Sequence, residues 1–144
     1  MLYLDTSVLV PLFVPEPDSA AMRSWFDAHS GETLAISDWT LTEFASAIGI
    51  KVRDKRLKPE QARTACVLMA KLASESLTVF TPTRSDYSKA AEHLGRHSLG
   101  LRAGDALHLA VAHNEGAEYL YTLDRRLIAA GRKLGLGLKT TSPV

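Results

Sequence analysis

An alternation of period is the feature that most narrows what this chain can fold into. Short β-rich runs, "LYLD" (2–5), "TLAIS" (33–37), "LTVFT" (77–81), "EYLYT" (118–122) and "GLKTT" (137–141), are separated by longer stretches of helical spacing. In "PDSAAMRSWFDAH", Ala21, Met22, Trp25 and Phe26 share one side. Asp38 precedes a helix to about Lys55. Lys58 and Pro59 restart one, with proline near the first turn, and it runs to about Ser76. Residues 84–95, 103–115 and 125–134 complete the helical set. Strands separated by helices run parallel, so the predicted class is an α/β sandwich. There is no internal repeat, low-complexity tract or linker, and residues 1–144 read as one domain.

Composition sets the class of environment. Apolar residues make up 46% of the 144 and charged ones 23%, which is globular and large enough to bury a core. No apolar run approaches a membrane span, and no charged-then-apolar leader precedes the first strand; a cytoplasmic protein is the expectation. Cys66, the one cysteine, sits in an apolar helical stretch and has no partner for a disulfide or a Cys-rich zinc site. The net charge of +1 exerts no global pull on nucleic acid, so any attraction must be local.

The acids fall at the ends of the β-rich runs. Asp5 closes the first and Asp124 lies just beyond the fourth. Ligands of open α/β sheets bind beyond the carboxyl ends of strands, where strand order reverses. If strands one and four are neighbours, Asp5 and Asp124 face each other. Asp105 opens "GDALHLAVAHN", which leads into strand four. Glu43 stands mid-helix, with Trp39 and Ala47 four residues to either side, so its face points toward packed protein. Asp is also a favoured helix cap, and Asp5, Asp105 and Asp124 each stand where a helix can begin. Both readings remain open for each aspartate singly. Glu43 cannot be such a cap.

Carboxylates gathered at one edge repel unless a cation neutralises them. Oxygen ligands, with no cysteine and no well-placed histidine, suit Mg²⁺ or Mn²⁺. An acid cluster without a phosphate-binding loop suggests phosphodiester chemistry. Ser7 and Thr122 can orient Asp5 and Asp124, or simply serve turns. Local positive charge is found in "KVRDKRLK" (51–58), at Arg102 and at Arg125–Arg126; Arg102 and Arg125 are the candidate contacts to a substrate's phosphate backbone because they adjoin acids. His93 and His97 are four apart but lack a third ligand. His108 can flank the pocket, though burial against the sheet is the simpler expectation. Like charge stored at Glu43 predicts that Glu43→Gln leaves the metal-free protein equally or more stable.

The stretches "LYLDTSVLVPLF", "SDWTLTEFASAI", "GLRAGDALHLAVA" and "YTLDRRL" resemble, in order and spacing over nearly the whole chain, the PIN-domain ribonucleases of the VapC toxin type. The resemblance implies a PIN-like three-layer fold, with a central five-stranded parallel sheet flanked by helices. It implies an acidic pocket of Asp5, Glu43, Asp105 and Asp124 holding Mg²⁺ or Mn²⁺, with Ser7 and Thr122 in support. The implied activity is endonucleolytic hydrolysis of RNA phosphodiester bonds by the toxin of a toxin–antitoxin pair. A homodimer and a cognate antitoxin are the implied partners. Gly104, where many relatives carry alanine, reads as a harmless departure, and none of the four acids departs. The alternatives are a PIN-like module that binds metal or RNA without cleaving it, and an aspartyl-nucleophile phosphatase. The phosphatase would want a second Asp at the position of Ser7.

Overall fold

A computed structural model describes residues 1–144. Five strands form one parallel sheet: β1 (Leu2–Leu4), β2 (Leu34–Ser37), β3 (Thr78–Phe80), β4 (Tyr119–Tyr121) and β5 (Lys139–Thr141). Their spatial order is β3-β2-β1-β4-β5. Seven helices connect and cover them: α1 (Thr6–Phe13), α2 (Ser19–Ala28), α3 (Asp38–Arg53), α4 (Pro59–Ser76), α5 (Arg84–Gly95), α6 (Ala103–Asn114) and α7 (Arg125–Leu134). A single 3₁₀ turn, His97–Leu99, lies between α5 and α6. The α/β class and the five-stranded parallel sheet are those the alternation and the family likeness predict. No helix is long and apolar enough to cross a membrane.

The strands are apolar because the sheet is covered on both faces. Side chains alternate across it. Leu2, Leu4, Leu34 and Ile36 pack with Val8, Leu9, Met22, Trp25, Phe44, Ile48 and Met69 of α1 to α4. Tyr3, Ala35 and Leu120 pack on the other face with Ala90 of α5, Ala106, Leu109 and Ala110 of α6, and Leu127 of α7. The run Ala106–Ala112 is buried all round, and its small residues let α6 lie close to the sheet. Buried Asp86 fastens this layer: it accepts from Thr83 at the start of α5 and from Asn114 Nδ2 at the end of α6, 2.7 Å away.

Strand order is what places the site. The chain builds outward from β1 through β2 to β3, then crosses to lay β4 on the other side of β1, in register Leu4 with Tyr121. The carboxyl ends of β1 and β4 therefore meet at the switch in strand order. The Asp5 backbone N–H donates to Tyr121 O at 3.0 Å, so Asp5 sits against the segment that carries Thr122 and Asp124.

At the far edge, α7 lies on β5 through Gly131. A Cβ there would collide with the Thr140 hydroxyl and lie 2.8 Å from Thr140 Cβ. Thr140 is β-branched and cannot swing aside. Gly131→Ala gains about 1 kcal/mol of helix propensity, against an overpacking cost of roughly 1–3 kcal/mol or more. The expected result is a net destabilisation, read as a lower urea midpoint; an unchanged or higher midpoint would show that α7 can slide off β5 without cost.

Candidate functional site

Three helix N-termini converge beyond the carboxyl edge of the sheet, and an aspartate belongs to each. Asp5 leaves β1 in an extended conformation and caps α1, accepting from the Ser7 backbone N–H at 3.4 Å. Asp124 caps α7 through the Arg126 N–H at 2.7 Å. Asp105 is in the first turn of α6 and reaches back to the Arg102 N–H at 3.0 Å. The cap reading and the cluster reading thus hold together. A carboxylate offers about four lone-pair positions and a cap uses one, while the positive ends of three helices favour the gathered charge.

Asp5 is the most enclosed of the four acids. Its Oδ2 accepts from Ser7 Oγ at 2.5 Å and from Thr122 Oγ1 at 2.7 Å. Ser7 Oγ accepts from the Leu123 N–H, and Thr122 Oγ1 from the Asp124 N–H, so both hydroxyls are aimed by the segment after β4. Glu43 enters from α3. Its Oε2 accepts from Thr6 Oγ1 at 2.7 Å and from His108 Nε2 at 2.8 Å. The same Nε2 lies 3.2 Å from Asp5 Oδ1. One donor atom from each of Asp5, Glu43 and His108 falls within 4.8 Å of the others.

For His108 the sequence reading favoured partial burial against the sheet over a place beside the pocket. The residue is fully buried and it also reaches the carboxylates. Its spacing of three from Asp105 and its place as the one polar residue in "ALHLAVA" are the signals that mark it. The premise of no well-placed histidine is therefore corrected. Burial opposes the imidazolium, but the oxygen of Tyr3, the hydrogen bond to Glu43 and the charges of Asp5 and Glu43 outweigh it, pushing the pKa up to about 10. His93 and His97 join no such cluster; His93 is buried in α5 with Nε2 unpartnered.

A second correction concerns where the repulsion falls. Burial alone would raise Glu43, but His108, Thr6 and the Trp39 indole together bring its pKa below the usual carboxylate value. Asp105 carries the strain instead. Burial raises its pKa, the Arg102 N–H pulls it partly back, and the charges of Asp124 and Asp5 raise it further. The third correction is Gly104. A Cβ there would collide with Glu43 Oε1 and lie 3.2 Å from the buried Trp39 Nε1. In this chain the missing methyl is room that Glu43 occupies. Arg102 contributes its backbone N–H here, whereas Arg125 lines a groove of about 520 Å³ together with Ser7, Lys51 and Asp124.

Two expected outcomes follow from this charge distribution. In chelator, Asp105→Asn should melt above the parent and Glu43→Gln below it, by roughly 2–4 °C for each kcal/mol. The opposite order would place the repulsion on Glu43 after all. Gly104→Ala should melt like the parent in chelator, since a flexible carboxylate tip can move, but gain less stability from Mn²⁺. A parental Mn²⁺ response would show that the displaced Glu43 takes no part in holding the ion.

The residues present suit a divalent ion. Asp5 and Glu43 bring hard oxygens together with His108, while Asp105 and Asp124 stand outside that group; burial raises the pKa of Asp105, and the charges of Asp124 and Asp5 add to it, which a cation nearby would offset. The profile of the PIN domain family matches residues 2–133. Ribonuclease VapC47 of Mycobacterium tuberculosis is 30% identical over 145 residues, covering 99% of this chain and 97% of its own. Ribonuclease VapC35 of the same species is 30% identical over 143 residues, covering 96% of this chain and 95% of its own. The crystal structure of Mycobacterium tuberculosis VapC20, a sarcin–ricin loop cleaving toxin, superposes with a TM-score of 0.74 at 22% identity, over 91% of this chain and 95% of that one. VapBC2 of Rickettsia felis, solved bound to a DNA fragment from its promoter, gives 0.70 at 21% identity, over 99% and 98%. By its matched length and by its VapC relatives, the chain belongs to the PIN-domain family, in the VapC group.

Proposed function

We propose that this protein is a Mg²⁺- or Mn²⁺-dependent endoribonuclease, the toxin of a toxin–antitoxin pair. The observation that carries the reading is the convergence of Asp5, Asp105 and Asp124, each at a helix N-terminus, with Glu43 from α3. Relatives named ribonuclease support a nuclease at the coarser level. The four acids would hold the ion, with Asp5 and Asp105 as principal ligands; Ser7 and Thr122 aim Asp5. A divalent ion there supplies positive charge against the carboxylates and the scissile phosphate, and polarises water. Water attacks phosphorus and the 3′ oxygen leaves, giving 5′-phosphate and 3′-hydroxyl ends, as the family likeness implies.

The groove beside Ser7 and Asp124 would admit RNA to the edge of the site, with Arg125 on its wall for backbone phosphate. The stretch 51–58 contributes less than its charge suggests. Lys51 pairs with Glu16, and Arg56 with Asp54 at 3.0 Å. Arg102 remains a candidate contact beside Asp105. A homodimer and an antitoxin are the proposed partners, on the likeness to VapBC assemblies. Val67, 67% exposed, and Leu68, 46% exposed, are the apolar side chains of α4 that such an interface can cover. Nothing in the site favours the phosphatase alternative, because Ser7 stands where its second Asp would be and its hydroxyl serves Asp5.

The deciding experiment is cleavage of total RNA with Mn²⁺, with the ends mapped. The parent should cut internally. Asp5→Asn should cut at least about 100-fold more slowly, since a bound ion is worth several kcal/mol of charge stabilisation. The Mn²⁺-induced rise in melting temperature should shrink in the same variant. A parent that binds RNA and Mn²⁺ yet leaves the RNA intact would make this a binding module. Equal rates for parent and Asp5→Asn would remove Asp5 from the site.

A further inference from the structure

We propose that His108 is a positioning residue of this site: held by Tyr3 and Ser37, its Nε2–H ties Asp5 to Glu43 while each carboxylate keeps lone-pair capacity for a divalent ion. The inference rests on the metal-site reading under Proposed function.

The relay begins in the sheet. Fully buried Tyr3 of β1 donates its hydroxyl to Ser37 Oγ of β2 at 2.8 Å. Its oxygen lies 3.2 Å from His108 Nδ1, and the two rings meet edge to face with centroids 5.8 Å apart. The imidazole is thereby fixed in plane and direction, as second partners fix the histidines of metal sites. Nε2 then addresses two acids from different elements, Glu43 of α3 at 2.8 Å and Asp5 after β1 at 3.2 Å.

Counting acceptors shows what this achieves. Asp5 Oδ2 is surrounded by Ser7 Oγ, Thr122 Oγ1 and the Ser7 N–H, and only His108 meets Oδ1. Glu43 Oε2 is taken by Thr6 and His108. Its Oε1 occupies the space that Gly104 leaves open. Asp5 Oδ1 and Glu43 Oε1 thus keep capacity for a cation. Nε2 donates to the acids in either state: with a neutral ring the Tyr3 hydroxyl turns to donate to Nδ1, and with a doubly protonated ring Nδ1 donates to the Tyr3 oxygen while Tyr3 donates to Ser37. Without the relay, Glu43 would keep only Thr6 and the Trp39 indole, and α3 would have no polar tie to Asp5.

The test uses chelator-stripped full-length protein, calorimetric titration with Mn²⁺, and RNA cleavage kinetics for His108→Leu, His108→Gln and Tyr3→Phe. His108→Leu should weaken Mn²⁺ binding by about 10–100-fold, and lower kcat with little change in KM for RNA. His108→Gln, whose amide nitrogen can donate near the Nε2 position, should recover most of both. Tyr3→Phe should fall between leucine and parent. A folded His108→Leu that binds Mn²⁺ as tightly as the parent overturns the proposal. So does one that binds more tightly, since the imidazole would then be a competitor of the ion. Equal losses in the leucine and glutamine variants would assign the effect to packing and overturn it too. Should the leucine variant fail to fold, Tyr3→Phe decides alone: weakened Mn²⁺ binding supports the relay and parental binding ends it. A parent that binds no Mn²⁺ defeats the metal-site reading itself, and the relay with it. A parent that binds and cleaves beside unaffected variants defeats the relay alone.

Discussion

Like charges do not gather unaided. Two carboxylates about 4 Å apart repel by ~4 kcal/mol at an effective dielectric near 20, and this fold collects four acids at one sheet edge. The backbone makes that tolerable. Three helices point their N-termini at the same place, so each aspartate caps a helix while facing its neighbours. Hydroxyls of Thr6, Ser7 and Thr122 take further lone pairs, and a buried imidazole sits between Asp5 and Glu43. Asp105 has a backbone N–H and the nearby charge of His108 in compensation and still shows residual strain.

This organisation separates holding a charge from leaving it available. Oδ2 of Asp5 and Oε2 of Glu43 each take two side-chain donors, while Oδ1 of Asp5 meets only His108 and keeps lone-pair capacity. The contrast with Asp86 is instructive. Asp86 is also buried at a helix start, but both of its oxygens are taken, by Thr83 and Asn114, and it serves only to fasten α5 to α6. Burial of an acid therefore does not distinguish a site from a clamp. Unsatisfied acceptor capacity, shared between neighbouring acids, does.

The periodicity of the sequence was enough to read the α/β class. Its β-rich runs and helical stretches fall within a few residues of the observed elements, because a parallel sheet covered on both faces needs apolar strands and helices with one apolar side. The short helix α1 and the 3₁₀ turn at His97–Leu99 were missed as elements. α1 follows Asp5 without a break and contains Pro11, so no local signal separates it from the strand before it. The positions of Asp5 and Asp124 were legible from strand ends. The role of His108 was legible only in part, since a histidine in an apolar helix face is ordinarily just buried.

What sequence alone determined was the inventory: the alternating elements, the acids at strand and helix ends, and the family those motifs mark. What tertiary structure alone decided was how the acids share their charge. The pKa of Glu43 is lowered by a histidine 65 residues away, and that of Asp105 is raised by burial and by the charges of Asp124 and Asp5, which belong to other elements. Gly104 matters because α3 and α6 approach closely enough that a methyl group would displace a carboxylate. Both depend on distances of about 3 Å between elements far apart in the chain. Local periodicity reports which side of a helix is apolar, but a hydrogen bond or a collision exists only once two helices have been placed against each other.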